Sequence, residues 1–222
     1  MIAVNPSIEI VSSTDYQTML KKIERIGRVC YKSEDHIKEG SAEAFIRGII
    51  KRGHESVIEH ESISVRVVCD RGVTHEIVRH RLASYSQEST RYCNYASDKF
   101  GNQITCIDPS TGFGYDLDSG PDRKKRELWE QAMKSAEQYY FALIQAGARP
   151  EEARGVLPNA LKTEIVMTMD LREWRHFLRL RGGRGAHPQI AEIAGMILGE
   201  FTRRYPVFFE DLAPAAGQTA KE

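Results

Sequence analysis

Two stretches of this 222-residue chain carry arginine without a single lysine. Arg71 to Arg91 holds four Arg against two Glu, with His75 and His80 besides, and Leu171 to Gly185 holds five Arg against one Glu. Arginine presents a planar fork of donors whose charge cannot be titrated away, so it suits two-pronged contact with a phosphate or an enolate-like oxygen. A helix from about Thr74 to Ala83 would put Glu76, Arg79 and His80 on one face at i, i+3 and i+4, with Arg81 pointing off it. The following SYSQESTR (Ser84 to Arg91) adds hydroxyls, an amide, a carboxylate, Tyr85 and a further Arg. The set suits an anion attached to a flat heterocycle. The plainer alternative is a solvated helix face with surface ion pairs.

Other chemistries find less support. His54 and His60 in GHESVIEH stand six apart, a spacing that does not share one helical face as H-E-x-x-H does, so no metal site is expected. Ser89 and His80 lack a G-x-S-x-G elbow and make a poor hydrolase pair. GFGYDL at residues 112–117 ends in Leu where a dinucleotide fingerprint wants Gly, and it neither follows a strand nor opens a helix. Cys30, Cys69, Cys93 and Cys106 form no C-x-x-C pair and read as reduced bystanders. RGGRG (Arg181 to Gly185) looks like an RNA-binding fragment, but one copy between two helices is more simply a helix stop.

Several elements must position these residues. Ser7 to Val11 reads as a short strand, after which Thr14 caps a helix marked by Met19, Leu20, Ile23 and Ile26. Ser41 caps a second helix, with Phe45, Ile46, Ile49 and Ile50 as its stripe and Gly53 as its stop. Strict alternation predicts strands over Ser62 to Val68 and Leu161 to Met169. Ser119, Gly120 and Pro121 open the longest helix, its stripe running from Leu128 through Trp129, Met133 and Tyr140 to Ile144. Asp170 with Glu173 makes a capping box for a helix through Arg181, and a final helix buries Ile190, Ile193, Ala194, Ile197 and Phe201. Asn94 to Ser119 reads as a long loop. The expected class is α+β, or mixed α/β, with a central, mostly antiparallel sheet flanked by helices in one domain over residues 1–222.

Lys plus Arg and Asp plus Glu both number 31. That balance argues against a general polyanion binder, which needs a basic excess over the whole domain. Hydrophobic residues make up 41% of the chain, enough for a sizeable core. With no positive start followed by an apolar run, and no uncharged apolar stretch of ~18 residues, the expectation is a soluble, cytoplasmic protein without membrane contact.

Arg79, His80 and Arg81, then seven residues, then Ser89, match the R-H-R-x7-S signature, and the chain resembles the flavin-dependent thymidylate synthases. GHESVIEH, SYSQESTRY (Ser84 to Tyr92), ARGVLP (Ala153 to Pro158) and DLREWRHFLRLR (Asp170 to Arg181) extend the likeness, in the family's order, over nearly the whole chain.

The resemblance implies reductive methylation of dUMP at C5, with carbon from 5,10-methylenetetrahydrofolate and electrons from NADPH through FAD. It also implies a non-Rossmann FAD site, a homotetramer with shared active sites, no nucleic acid partner and no cysteine nucleophile. FAD would be touched by Ser56, Arg79, His80, Arg81, Gln87, Asp170, Arg172 and His176. The nucleotide would be held by Glu76, Arg79, Gln87, Ser89, Arg91, Arg154 and Arg181, with Arg181 the catalytic residue and Ser89 a ligand rather than a nucleophile. One departure is Asp170, where the family often has Asn; an Asp adds negative charge and can serve as a helix cap instead. The alternative function is an arginine-rich RNA-binding protein, motivated by the five Arg from Arg172 to Arg184.

Overall fold

The computed structural model describes residues 1–212. In chain order its strands are β1 (Ile2–Val4), β2 (Ser7–Ser12), β3 (Ser62–Asp70), β4 (Ala83–Gln87), β5 (Thr105–Ile107) and β6 (Lys162–Asp170). Its helices are α1 (Tyr16–Tyr31), α2 (Ser41–Lys51), α3 (Arg71–Ile77), α4 (Ser110–Phe113), α5 (Gly120–Gln145), α6 (Pro150–Ala153), α7 (Leu171–Arg181), α8 (Pro188–Arg204) and α9 (Pro206–Phe209). Short 3-10 turns join them, among them Glu55–His60 before β3.

Strand alternation builds the centre. A four-stranded sheet in the order β2-β3-β6-β4 is antiparallel throughout, and its middle pair runs unshifted from Ser62 opposite Asp170 to Asp70 opposite Lys162. Ile63, Val65, Val67 and Cys69 on β3, with Ile165, Met167 and Met169 on β6, are all buried. They share one core with Ile23 of α1, Ile49 of α2, Trp174 of α7 and Phe201 of α8. A slip of one residue would turn this set to solvent at roughly 1.5–3 kcal/mol per large side chain, so the register is strongly held. A smaller core forms where Tyr140 and Met133 of α5 pack on Tyr95, Ile104 and Leu161. The mostly antiparallel sheet flanked by helices is therefore as expected.

Five local readings are corrected. The helix expected over Thr74 to Ala83 begins at Arg71 and ends at Ile77, because Ala83–Gln87 pairs with β6 as an edge strand. The Tyr85 hydroxyl meets the released carbonyls of Ile77 (2.9 Å) and His80 (2.7 Å), which lets the helix stop early. The 94–119 stretch is not a structureless loop: Thr105–Ile107 pairs in parallel with β1, and Ile104, Cys106 and Ile107 are buried. The cap of α1 is Asp15, which accepts from the Thr18 N–H, while Thr14 donates to Glu61. Gly40, at φ +77°, precedes α2, and the Ser41 hydroxyl turns to Glu24. On α5 the stripe is narrower than read, with Leu128 exposed and Met133 and Tyr140 buried.

Arg175 fixes α7 to the rest of the chain. It is fully buried, donates from Nε to Glu55 (3.0 Å) and from both terminal nitrogens to Asp211 (2.7 and 2.6 Å), and also donates to the Phe208 carbonyl. Burial raises the affinity of the Glu55 and Asp211 carboxyls for protons, but their arginine hydrogen bonds outweigh it and hold both below their ordinary values of 4.5 and 3.8. Carboxylates depressed in the fold contribute stability at neutral pH that is lost as pH falls through their range. Arg175→Leu should cost about 1–3 kcal/mol in urea unfolding, since it removes the buried donor from the Phe208 carbonyl, from half-exposed Asp211 and from Glu55, which keeps Arg179. It should also flatten the decline in stability of the wild type below about pH 4. An unchanged midpoint, or an unchanged acid slope, would contradict this assignment.

Candidate active site

The two central strands end alike. Asp70 closes β3 and its Oδ1 accepts from the Val73 N–H at 2.7 Å, starting α3. Asp170 closes β6 and its Oδ1 accepts from the Glu173 N–H at 2.8 Å, starting α7. Because the strands are antiparallel, these helices start from opposite ends of the sheet, and the C-terminal end of α7 arrives beside α3.

A chain of four polar side chains results. The Glu173 carboxylate lies 3.0 Å from His80 Nδ1, and the Nε–H of Arg181 donates to His80 Nε2 at 3.1 Å. Arg181 Nη1 donates to the Glu76 carboxylate (2.9 Å) and Nη2 to the Glu76 carbonyl (3.0 Å). An arginine is always a donor, so Nε2 of His80 must carry the lone pair and the ring proton must sit on Nδ1, toward Glu173. Burial pushes the His80 imidazole toward its neutral form, against the pull of Glu173. The ring is also packed edge-on to Phe177, its centroid 4.9 Å away.

His80, Glu173 and His176 each offer a ligand atom within 4.8 Å of the others, a composition that could hold a cation. The Arg181 contact opposes this. Coordination through Nδ1 would leave the ring proton on Nε2, pointing at another N–H donor, with a guanidinium beside the metal.

The other expected residues divide into free and engaged. Arg79, Arg81, Arg91 and His176 are exposed, as is Ser56 on the 3-10 turn packed against α7. Arg154 reaches Thr90 at 3.4 Å, and Arg71 reaches the Glu88 carbonyl at 3.4 Å, so two further cations border the turn that carries Ser89 and Arg91. Ser89 accepts from the Arg91 N–H at 3.3 Å. Gln87 is turned inward, its amide donating to Thr74 (3.1 Å) and Thr163 (3.4 Å). Arg172 is paired with Glu59 at 2.5 Å, and Asp170 serves as the helix cap, with burial raising its carboxyl above the ordinary value. Burial likewise raises the thiols of Cys69, Cys93 and Cys106, the last to about 12, which keeps them protonated.

The RNA-binding alternative loses its footing here. Of its five arginines, Arg175 is buried and Arg172, Arg179 and Arg181 are paired with acids, leaving Arg184 outside these pairs. Sequence reasoning missed Glu173, Arg71 and Thr90. Glu173 was visible only as a helix-capping partner; the cap is half made, because its side chain crosses to His80 instead.

A family model described as thymidylate synthase complementing protein matches residues 9–207. The flavin-dependent thymidylate synthase of Geobacter sulfurreducens is 35% identical over 194 residues, covering 84% of this chain and 79% of that protein. Its namesakes from Pyrococcus furiosus (36% over 174 residues, 78% and 68% covered) and Pyrococcus abyssi (34% over 184 residues, 82% and 70% covered) are similar to the same extent. The match takes in most of both cores and every member of the Glu173–His80–Arg181–Glu76 chain, and on it this chain belongs to the flavin-dependent thymidylate synthase family.

Proposed function

We infer that the chain is a flavin-dependent thymidylate synthase, which methylates dUMP to dTMP with 5,10-methylenetetrahydrofolate as carbon donor and NADPH as reductant. The observation that carries the reading is the fixed Glu173–His80–Arg181–Glu76 chain beside exposed arginines, in a chain of this family.

The donor set fits FAD. A diphosphate needs charge-assisted partners, and Arg79 and Arg81 are exposed with no ion pair among the described residues; Ser56 and His176 are exposed on neighbouring elements. These four, with His80, Gln87, Asp170 and Arg172, would hold the cofactor. The antiparallel sheet supports a non-Rossmann site. When bound, the flavin supplies the two-electron transfer from NADPH.

For the nucleotide, Arg91 and Arg154 suit the phosphate, with Ser89 and Gln87 alongside and Glu76 and Arg79 completing the pocket. Uracil gains negative charge on its ring oxygens as C5 becomes nucleophilic. Arg181 cannot act as a base, because a guanidinium keeps its proton in proteins, but as a positioned cation it stabilises that developing charge. Among the described residues Ser89 has no base placed against it, which makes it a ligand rather than a nucleophile.

The reading includes a cytoplasmic homotetramer, each chain a single domain over residues 1–222, with active sites completed across subunits. Leu128, Ala132, Tyr139 and Ala142 are exposed at spacings of four, seven and three along α5, a stripe suited to packing on another helix. Leu82 and Tyr92, 73% and 80% exposed, flank the proposed site and lack cover among the described residues. Among the described residues no helix is long and apolar enough to cross a membrane.

The purified protein should be yellow, and tritium at C5 of dUMP should be released only when the folate and NADPH are both supplied. A colourless protein that takes up no FAD and makes no dTMP would overturn the reading. Arg181→Ala should keep its flavin and lower kcat roughly 100-fold or more, as loss of a positioned charge-stabilising donor does; near wild-type turnover would remove it from the mechanism. Arg91→Ala and Arg154→Ala should each raise KM for dUMP about tenfold or more, the loss of one charge-assisted contact, with flavin content unchanged. A KM unaffected by both would move the phosphate elsewhere.

A further inference from the structure

Glu173 occupies the N3 position of α7, where a capping-box glutamate would fold back on Asp170. Its carboxylate instead leaves its own helix and meets His80, 93 residues away in sequence, and both side chains are almost wholly buried. A buried carboxylate needs a donor, and His80 Nδ1 is the partner placed for it.

We propose that Glu173 is the positioning residue of the site: by accepting from His80 Nδ1–H it keeps the lone pair on Nε2, and that lone pair holds the Nε–H of Arg181. A neutral imidazole has one donor and one acceptor nitrogen, and the partner of the first sets the role of the second. With Glu173 in place, Nε2 faces Arg181 as an acceptor. Without it, the proton is free to move to Nε2, where it opposes the arginine N–H, and the guanidinium loses its hold on that side. Glu76 then remains as its anchor. The direction of the His80 shift toward the neutral form agrees with this arrangement, as does the cationic Arg181 on the far side of the ring. The consequence for catalysis rests on the reading of Arg181 as the group that faces uracil; the tautomer does not.

The test has two parts, both on the flavin-loaded enzyme. In wild type labelled with 15N-histidine, with the His80 signals identified by their loss in His80→Gln, a long-range 1H–15N spectrum near pH 7 should show Nδ1 protonated and Nε2 unprotonated. A ring protonated on Nε2, or on both nitrogens, overturns the proposal whether or not any variant folds. In Glu173→Gln, flavin content should be retained, the His80 nitrogen pattern should change, and kcat should fall roughly 10- to 100-fold, as for loss of a group that orients a functional histidine. KM for dUMP should move less than kcat, and Glu173→Asp, which keeps a carboxylate, should recover part of the loss. A kcat within about twofold of wild type, or a fall in kcat with the His80 pattern unchanged, overturns the proposal. Wild-type turnover is the control that separates the two readings: if wild type makes no dTMP, the assigned reaction fails, while the tautomer spectrum still decides the part played by Glu173.

Discussion

The unbroken antiparallel ladder between β3 and β6 puts an aspartate at each of its ends, Asp70 on one strand and Asp170 on the other. Each aspartate finishes a nine-residue strand and caps the helix that follows, so that α3 and α7 leave the sheet from opposite ends. This geometry brings Glu76 and His80, after one strand, to Arg181 and Glu173, after the other, although they are 93 to 105 residues apart in the chain. The register in turn is held by the alternating buried side chains of both strands. A shift in that register would move the two halves of the site apart before any functional residue had changed.

The same helix, α7, has two jobs on different faces. Arg172, Arg175 and Arg179 meet Glu59 and Glu55 on the 3-10 turn before β3, and Arg175 also meets Asp211 beyond α9. These contacts fix where the helix lies. Glu173 and Arg181 point elsewhere, into the chain through His80. An equal count of acids and bases, 31 of each, is therefore not a surface average. Much of the arginine excess in this segment is neutralised by acids brought from other elements, leaving Arg184, while Arg79, Arg81 and Arg91, also without an ion pair among the described residues, cluster at the signature sequence. A few open cations of that kind suit one phosphorylated ligand better than a nucleic acid backbone.

What the sequence made legible follows from how local each signal is. β3 and β6 announce themselves by alternation, and α2, α5, α7 and α8 by apolar stripes with caps or stops, because those signals lie within one element. β4 does not: SYSQ is polar, and it becomes a strand only by pairing with β6, some eighty residues on. β1 and β5 are three residues each, too short to show a period, and each depends on the other. The candidate site was legible as a set of residues, of which the structure brings Glu76, His80 and Arg181 together. Its wiring was not. Arg175 was legible only as one of the five arginines behind the RNA-binding alternative, and Glu173 as a cap, because the groups that define their roles come from distant parts of the chain.

The count of donors on Arg181 explains why an arginine can be both anchored and available. A guanidinium carries five N–H groups. Three are committed, one to His80 and two to Glu76. Two are left, one on each terminal nitrogen, and a planar, charge-delocalised ring with adjacent acceptors takes a pair of donors of that kind. A lysine, with three donors around a single nitrogen, could not be gripped by the same three contacts and still present any. Holding the charge in place before the ligand arrives is what makes it useful to a reaction, since fixed dipoles and charges need no reorganisation as negative charge develops. The cost of that fixation is borne by a buried carboxylate and a buried imidazole, each desolvated and each satisfied by the next group along the line.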